Sequence, residues 1–446
     1  MKKSKKSVIV AVSVALAMSP LLVACGNSNG NTGNSSASSG SKVTNITFWS
    51  FWGSSTRRPV IQAMVNQFNQ THPDIHVTYQ YLPWGDVWTK ELAGVAAGNP
   101  PDVIIQDINS VQSRAQKKQA MDLSPYLKQD NIKNDFFSSL WDSVTYNGDV
   151  YGIPFNTDTR LLFYNKDMFK AAGLNPNNPP QTWAQLDADA QKLNQKSGNG
   201  YKVIGFYPLW GDFGADSWLL NADNGVSYLN YKTKQADINT PNKLAALNWI
   251  NGYTQQLGQK TVEQFQASFG SKQQDPFLSG KVAMMMENAN FYTQIQQYAP
   301  NLNFGVAQVP SFKQGTGHWS WGGGFDVEIP VGSKHPSQAW QFVKFLTSQK
   351  EQEYWAAREF DLVANKQAAS AAAKDSLLKP AGQMVYQAMV DNMKWTVHTP
   401  VPVWAPGYPN LVEPHIQAAT SGQGSPQKEL QSAQKAIQDL IAQNSQ

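Results

Sequence analysis

The chain of 446 residues has a single cysteine, Cys25, and few charges, with Asp, Glu, Lys and Arg together at 15%. One thiol so near the start excludes internal disulfides, Cys-rich zinc sites, Fe–S clusters and cysteine catalysis from the rest of the chain. Ordinary globular domains carry about 25% charged residues. The formal charge of +4 lies in Lys2, Lys3, Lys5 and Lys6; without residues 1–24, 32 basic residues face 32 acidic ones. A charge-balanced remainder lacks the basic excess that binding to phosphates needs, so no nucleic-acid partner is expected. No apolar run reaches the roughly 20 residues of a membrane-spanning helix. Motifs of the GxxxxGK[ST], GxGxxG and HExxH types are absent, and no metal or cofactor is expected. Of the six histidines, His72 and His76 have helical ligand spacing, but Pro73 between them breaks a helix. Carboxylate pairs for glycoside hydrolysis come from distant segments, so a secreted glycoside hydrolase or lyase stays open as a second reading.

What is present begins with an address. Met1–Lys6 is basic, 8–23 is apolar, and Leu22-Val23-Ala24-Cys25 fits the bacterial lipobox, in which the cysteine is acylated and becomes the new N-terminus. Residues 1–24 thus read as a lipoprotein signal peptide, and Cys25 as the lipidation site. Residues 26–41 contain only Gly, Asn, Ser, Thr and Ala, a flexible leash with nothing to bury. The expected location is the extracellular face of the cell membrane, tethered by lipid.

From Val43 the pattern alternates. Ile46–Trp49 reads as a strand, 59–69 as a helix, 76–81 as a strand, 87–97 as a helix and 102–106 as a buried strand after Asn99-Pro100-Pro101. This order implies a mostly parallel α/β sheet, whose ligands sit beyond the carboxyl ends of the strands. Leu161–Tyr164, Lys202–Tyr207, Lys281–Met286 and Phe304–Val309 read as further strands. Thr182 with Gln185 reads as a capping box, and Ser425-Pro426 opens a last helix with Leu430, Ala433, Ile437 and Leu440 on one face.

An ordered set of segments carries a resemblance. It runs Ile46-Thr47-Phe48-Trp49, Ala97-Gly98-Asn99-Pro100-Pro101-Asp102, Tyr151-Gly152-Ile153-Pro154-Phe155, Tyr164-Asn165-Lys166-Asp167-Met168-Phe169 with Ala172-Gly173-Leu174, Pro180-Gln181-Thr182-Trp183, Gly280-Lys281-Val282-Ala283-Met284 and Gly322-Gly323-Gly324. The set resembles the family 1 extracellular solute-binding proteins of ABC importers, relatives of maltose-binding protein, from about residue 45 to the end. The resemblance implies a two-lobed α/β fold with a hinged cleft: a first lobe of 43–155 plus about 310–365, and a second of 156–309 plus about 366–446. It also implies permease subunits as partners and no catalysis, and the chain is expected to act as a monomer.

Ligand residues are sought at strand ends. Sugars need aromatic platforms and short polar groups, and the chain has 15 Trp, 16 Tyr and 20 Phe. Trp49 and Trp52 flank the end of the first strand, with Trp52 the one expected in the cleft, and Trp321 lies in a second aromatic loop. By resemblance, Gln106 and Asp107 end a strand that contributes hydrogen bonds, and Asp158 matches a ligand-binding acid. Arg160 reads equally as a ligand contact or as an ion-pair partner of Asp158. Trp210 and Asp212 lie in a loop like the family's second-lobe stacking loop, where Ala215 takes a stacking position. Asn290 stands where relatives often place a Trp, and Trp404 and Tyr408 lie in the segment that supplies a late platform. A neutral di- or oligosaccharide is the expected ligand, with a glycerol phosphodiester as the alternative within the family.

Overall fold

The computed structural model describes residues 43–444. The expected signal peptide, the expected lipidation site Cys25 and the expected linker lie outside the described residues. The chain enters its first sheet with β1 (Thr44–Ser50), β2 (Ile75–Tyr81), β3 (Val103–Asp107) and β4 (Ile153–Thr157). It then forms β5 (Arg160–Asn165), β6 (Met284–Asn288) and β7 (Phe304–Ala307) of a second sheet, passes through β8 (Ser320–Trp321), and returns to the first sheet as β9 (Gly324–Glu328) and β10 (Leu362–Val363). Beyond, β11 (Thr396–Val397) pairs with β8. The first sheet is ordered β10-β4-β9-β3-β1-β2 and the second β6-β5-β7. The fold is α/β and two-lobed.

Within the two main sheets the parallel expectation holds only for β1 with β2 and β3; the short pair β8 and β11 is parallel as well. β9 runs antiparallel to both β3 and β4, and β5 is antiparallel to both its neighbours. The physical reason is the re-entry of the chain. β9 arrives from the other lobe with no crossover helix to set its direction, and it slots between β3 and β4, already laid down. Local signals survive this. The helix Arg57–Thr71 buries Ile61, Met64, Val65 and Phe68, one face at helical spacing. At the helix Trp183–Leu193, Thr182 Oγ1 accepts from the Gln185 N–H, while Gln185 Oε1 accepts from the Gln181 N–H (2.8 Å), one residue earlier than a strict box. The last helix, Pro426–Asn444, buries Leu430, Ala433 and Ile437 as expected.

Nearly half of the tryptophans are core residues. Trp52, Trp141, Trp183, Trp210, Trp218, Trp340 and Trp355 are all buried. Trp52 packs at 4.4 Å from Trp355 and 4.9 Å from Phe155, inside the first lobe. The expectation that Trp52 faces the cleft is therefore corrected: two residues past β1 the chain turns inward. In the second lobe Trp183 stacks on Trp249 at 4.1 Å, with Trp218 edge-on.

Candidate functional site

The two sheets are joined where the chain leaves β4 and where it returns into β9. Asp158, between β4 and β5, accepts through Oδ1 from the Gly323 backbone N–H (2.7 Å) and through Oδ2 from Asn288 Nδ2 (2.9 Å). Gly322 has to be glycine here, since a Cβ would meet the Asp158 carbonyl at 2.4 Å. Arg160 opens β5 and is buried. Its Nη1 donates to Asp158 Oδ1 (2.6 Å), Nη2 to Asp212 Oδ2 (3.1 Å) and Nε to the Asp212 carbonyl (3.1 Å). The guanidinium lies over the Trp321 ring, 3.9 Å from its centroid. Asp158, Arg160, Asp212 and Trp321, four residues singled out in the sequence, therefore meet. Beside them His398 is driven down to about 4 by burial, so it is neutral and shares a 2.9 Å contact with Thr157 Oγ1. Glu287, at the end of β6, is pushed up to about 8, chiefly by burial and next by the Asp212 and Asp275 charges. At neutral pH its carboxyl holds its proton.

Trp321 also lines a cavity of about 580 Å³. Phe213, Trp321 and Tyr408 supply aromatic wall, Ala215 leaves room, and Asp216 and Glu413 supply carboxylates. Asp216 accepts from the Tyr228 hydroxyl. No lysine, arginine or histidine lines this space. The site's second surface is on the first lobe, at the carboxyl ends of β1 and β2. There Trp84, 61% exposed, meets Phe51 and Trp88 at 4.7 Å and Phe325 at 5.7 Å. Only three residues separate Trp321 from Phe325, so their Cα atoms lie at most about 14 Å apart. One short segment thus touches both surfaces.

The other sequence candidates do not line this cavity. Trp49 is half-buried against Leu82, Val87 and Ile104. Gln106 is buried and donates to Glu91 (3.4 Å), and Asp107 accepts from the Asn109 N–H (2.9 Å) at a helical turn. Trp210 is a core residue, stacked on Phe265 at 5.6 Å, because Gly211 carries the loop directly against β6. Asn290 donates its backbone N–H to Asn288 Oδ1 (3.1 Å), and Trp404 stands edge-on to Tyr231. None of these six lines the cavity. Sequence reasoning passed over Trp84, Asn288 and Glu413. The first was within reach: Pro83-Trp84-Gly85 directly follows β2, at the strand end where ligands bind. Glu413 stands inside the helix Tyr408–Thr420, and nothing local marks it.

Among the described residues no group of three or more His, Cys, Asp or Glu is placed to hold a metal ion, and no helix is long and apolar enough to cross a membrane. Two α/β lobes, a polar network where they join and an aromatic cavity on the second lobe are the arrangement of a solute-binding type of protein. Residues 52–353 match the family of bacterial extracellular solute-binding proteins, and the chain belongs to it. A protein of Brucella abortus named as a binding protein is 26% identical over 392 residues, 85% of this chain and 89% of that one. The maltooligosaccharide ABC transporter solute-binding lipoprotein of Streptococcus pneumoniae is 28% identical over 61% of this chain and 62% of its own. Among solved structures, CpMnBP1 with mannotriose bound is 29% identical, with a TM-score of 0.71 over 88% of this chain and 100% of that chain.

Proposed function

We propose that the protein is the extracytoplasmic receptor of an ABC importer, and that it captures an uncharged di- or oligosaccharide by closing two lobes on it. The observation that carries this reading is the cavity: aromatic walls, carboxylates and hydroxyls at its rim, and no cation in its lining. Pyranose C–H faces stack on aromatic rings, and carboxylates accept from sugar hydroxyls. A phosphate ester would meet Asp216 and Glu413 with no basic group to offset them. This separates the chain from the sn-glycerol-3-phosphate-binding periplasmic protein of Yersinia pseudotuberculosis, a relative 27% identical over 56% of this chain. The names of the pneumococcal relative and of the mannotriose complex point the same way.

In this reading the lobes are 43–155 with about 310–365 and 156–309 with about 366–446, and the hinge runs through 157–160 and 321–324. Closure follows from contacts that the ligand makes with both surfaces only when they approach. Permease subunits then recognise the closed form. Cys25, acylated after removal of residues 1–24, tethers a monomer to the membrane, and no catalysis is involved. Calorimetry and thermal melts against mannotriose, maltotriose, monosaccharides and sn-glycerol-3-phosphate test the ligand class. A saccharide at a hundred times its Kd should stabilise the fold by about 2.7 kcal/mol. A shift with the phosphate ester and none with any saccharide would overturn the reading; released reducing ends would point to an enzyme.

A further inference from the structure

Trp321 stands at the end of a two-residue strand and is followed by three glycines. Such a backbone does little to fix an indole. One face of the ring is covered by a guanidinium 3.9 Å from its centroid. That guanidinium is itself immobilised. It makes three hydrogen bonds to Asp158 and Asp212 and a fourth from Nη1 to the Trp321 carbonyl (3.3 Å). Four bonds leave at most one of its five N–H groups for a ligand, and Arg160 is absent from the lining of the cavity that Trp321 faces.

We propose that Arg160 is a positioning residue: it holds the indole of Trp321 by one face so that the other face meets the ligand. The proposal rests on the carbohydrate reading for what that ligand is, though not for the clamp itself. Two parts of the chain hold the guanidinium that lies over the ring: Asp158 at the joint between the sheets, two residues before Arg160, and Asp212 from the loop before the helix Gly214–Ala222. Lysine would keep the charge but lose both the flat face and the fork, so charge alone cannot replace the clamp.

The full chain labelled with 5-fluorotryptophan tests this by 19F NMR, the Trp321 resonance being assigned by its loss in W321F. In the ligand-free protein R160K is expected to shift and broaden that resonance and to leave those of the core tryptophans in place. D212N, made at an exposed acid, is expected to move it less and in the same direction, and it stands in for R160K if that variant does not fold. In binding assays R160K is expected to weaken a saccharide about tenfold. The same change in a W321A background should add nothing, because the clamp then has no ring to hold. A Trp321 resonance unmoved in both variants overturns the proposal whether or not any saccharide binds. Equal losses from R160K in both backgrounds also overturn it, since Arg160 would then contact the ligand itself. A wild-type protein that binds no saccharide but whose resonance moves sinks the carbohydrate reading and leaves the clamp standing.

Discussion

Arg114 and Arg160 are both buried, and each is held by two carboxylates, yet they do different things. Arg114, from the helix Val111–Gln116, forks onto Glu91 (2.9 and 3.0 Å) and reaches Glu328 on β9 (2.7 Å). All three groups belong to elements packed on one sheet, and all are buried. Next to them Asp326 is buried with neither carboxylate oxygen hydrogen-bonded. Arg160 instead holds Asp158 at the joint between the sheets and Asp212 in a second-lobe loop, and the Asp212 side chain is half exposed. The same chemistry is a structural staple when it is enclosed in one core, and a device for aiming a side chain when it lies under an aromatic ring at the joint between the sheets.

The sharpest way to break this comparison is R114M. It strands Glu91 and Glu328 as buried unpaired charges, for which the expected loss is about 3–5 kcal/mol in urea titration. Affinity for the ligand should be unchanged wherever the variant remains folded. If R114M instead weakens binding as much as R160K does, the distinction between staple and aiming device is gone. A second test concerns Asp326. Burial, with Glu328 close by, raises its pKa well above the usual carboxylate range, so folding takes up a proton there. The stability this contributes is fully present below the ordinary carboxyl pKa of about 4 and is lost as pH rises through the raised value. The melting temperature of the wild type should therefore fall relative to D326N between pH 5 and pH 8; parallel curves would show Asp326 ionised throughout.

On the hinge side, W321A should cost about tenfold in saccharide affinity with little loss of stability, as read by calorimetry and melting together. A large loss of stability would make Trp321 a core residue. W84A, at the exposed ring of the first lobe, is expected to weaken binding by about threefold. It should change stability by no more than about 0.5 kcal/mol. No change in affinity at all would confine the ligand to the second-lobe cavity.

Much of the fold was legible because helices and strands write their faces into local spacing. The helix Arg57–Thr71, the β1–β3 strands and the closing helix were all readable that way. Part of the site was legible too. Asp158, Asp212 and Trp321 were found from loop position or resemblance, and Arg160 from its nearness to Asp158. The tryptophans were less readable. Trp52 and Trp210 have the same neighbours in sequence as an exposed platform would have, and only packing against Trp355 and Phe265 sends them inward.

The sequence by itself determined the alternation of elements, the charge balance and the family resemblance, since each depends on composition or on residues close together in the chain. Tertiary structure decided which aromatics face the cavity, that β9 enters antiparallel, and that Arg160 lies over Trp321 across 161 positions of sequence. Burial and long-range pairing depend on what the rest of the chain brings to a point in space, and no local pattern records that.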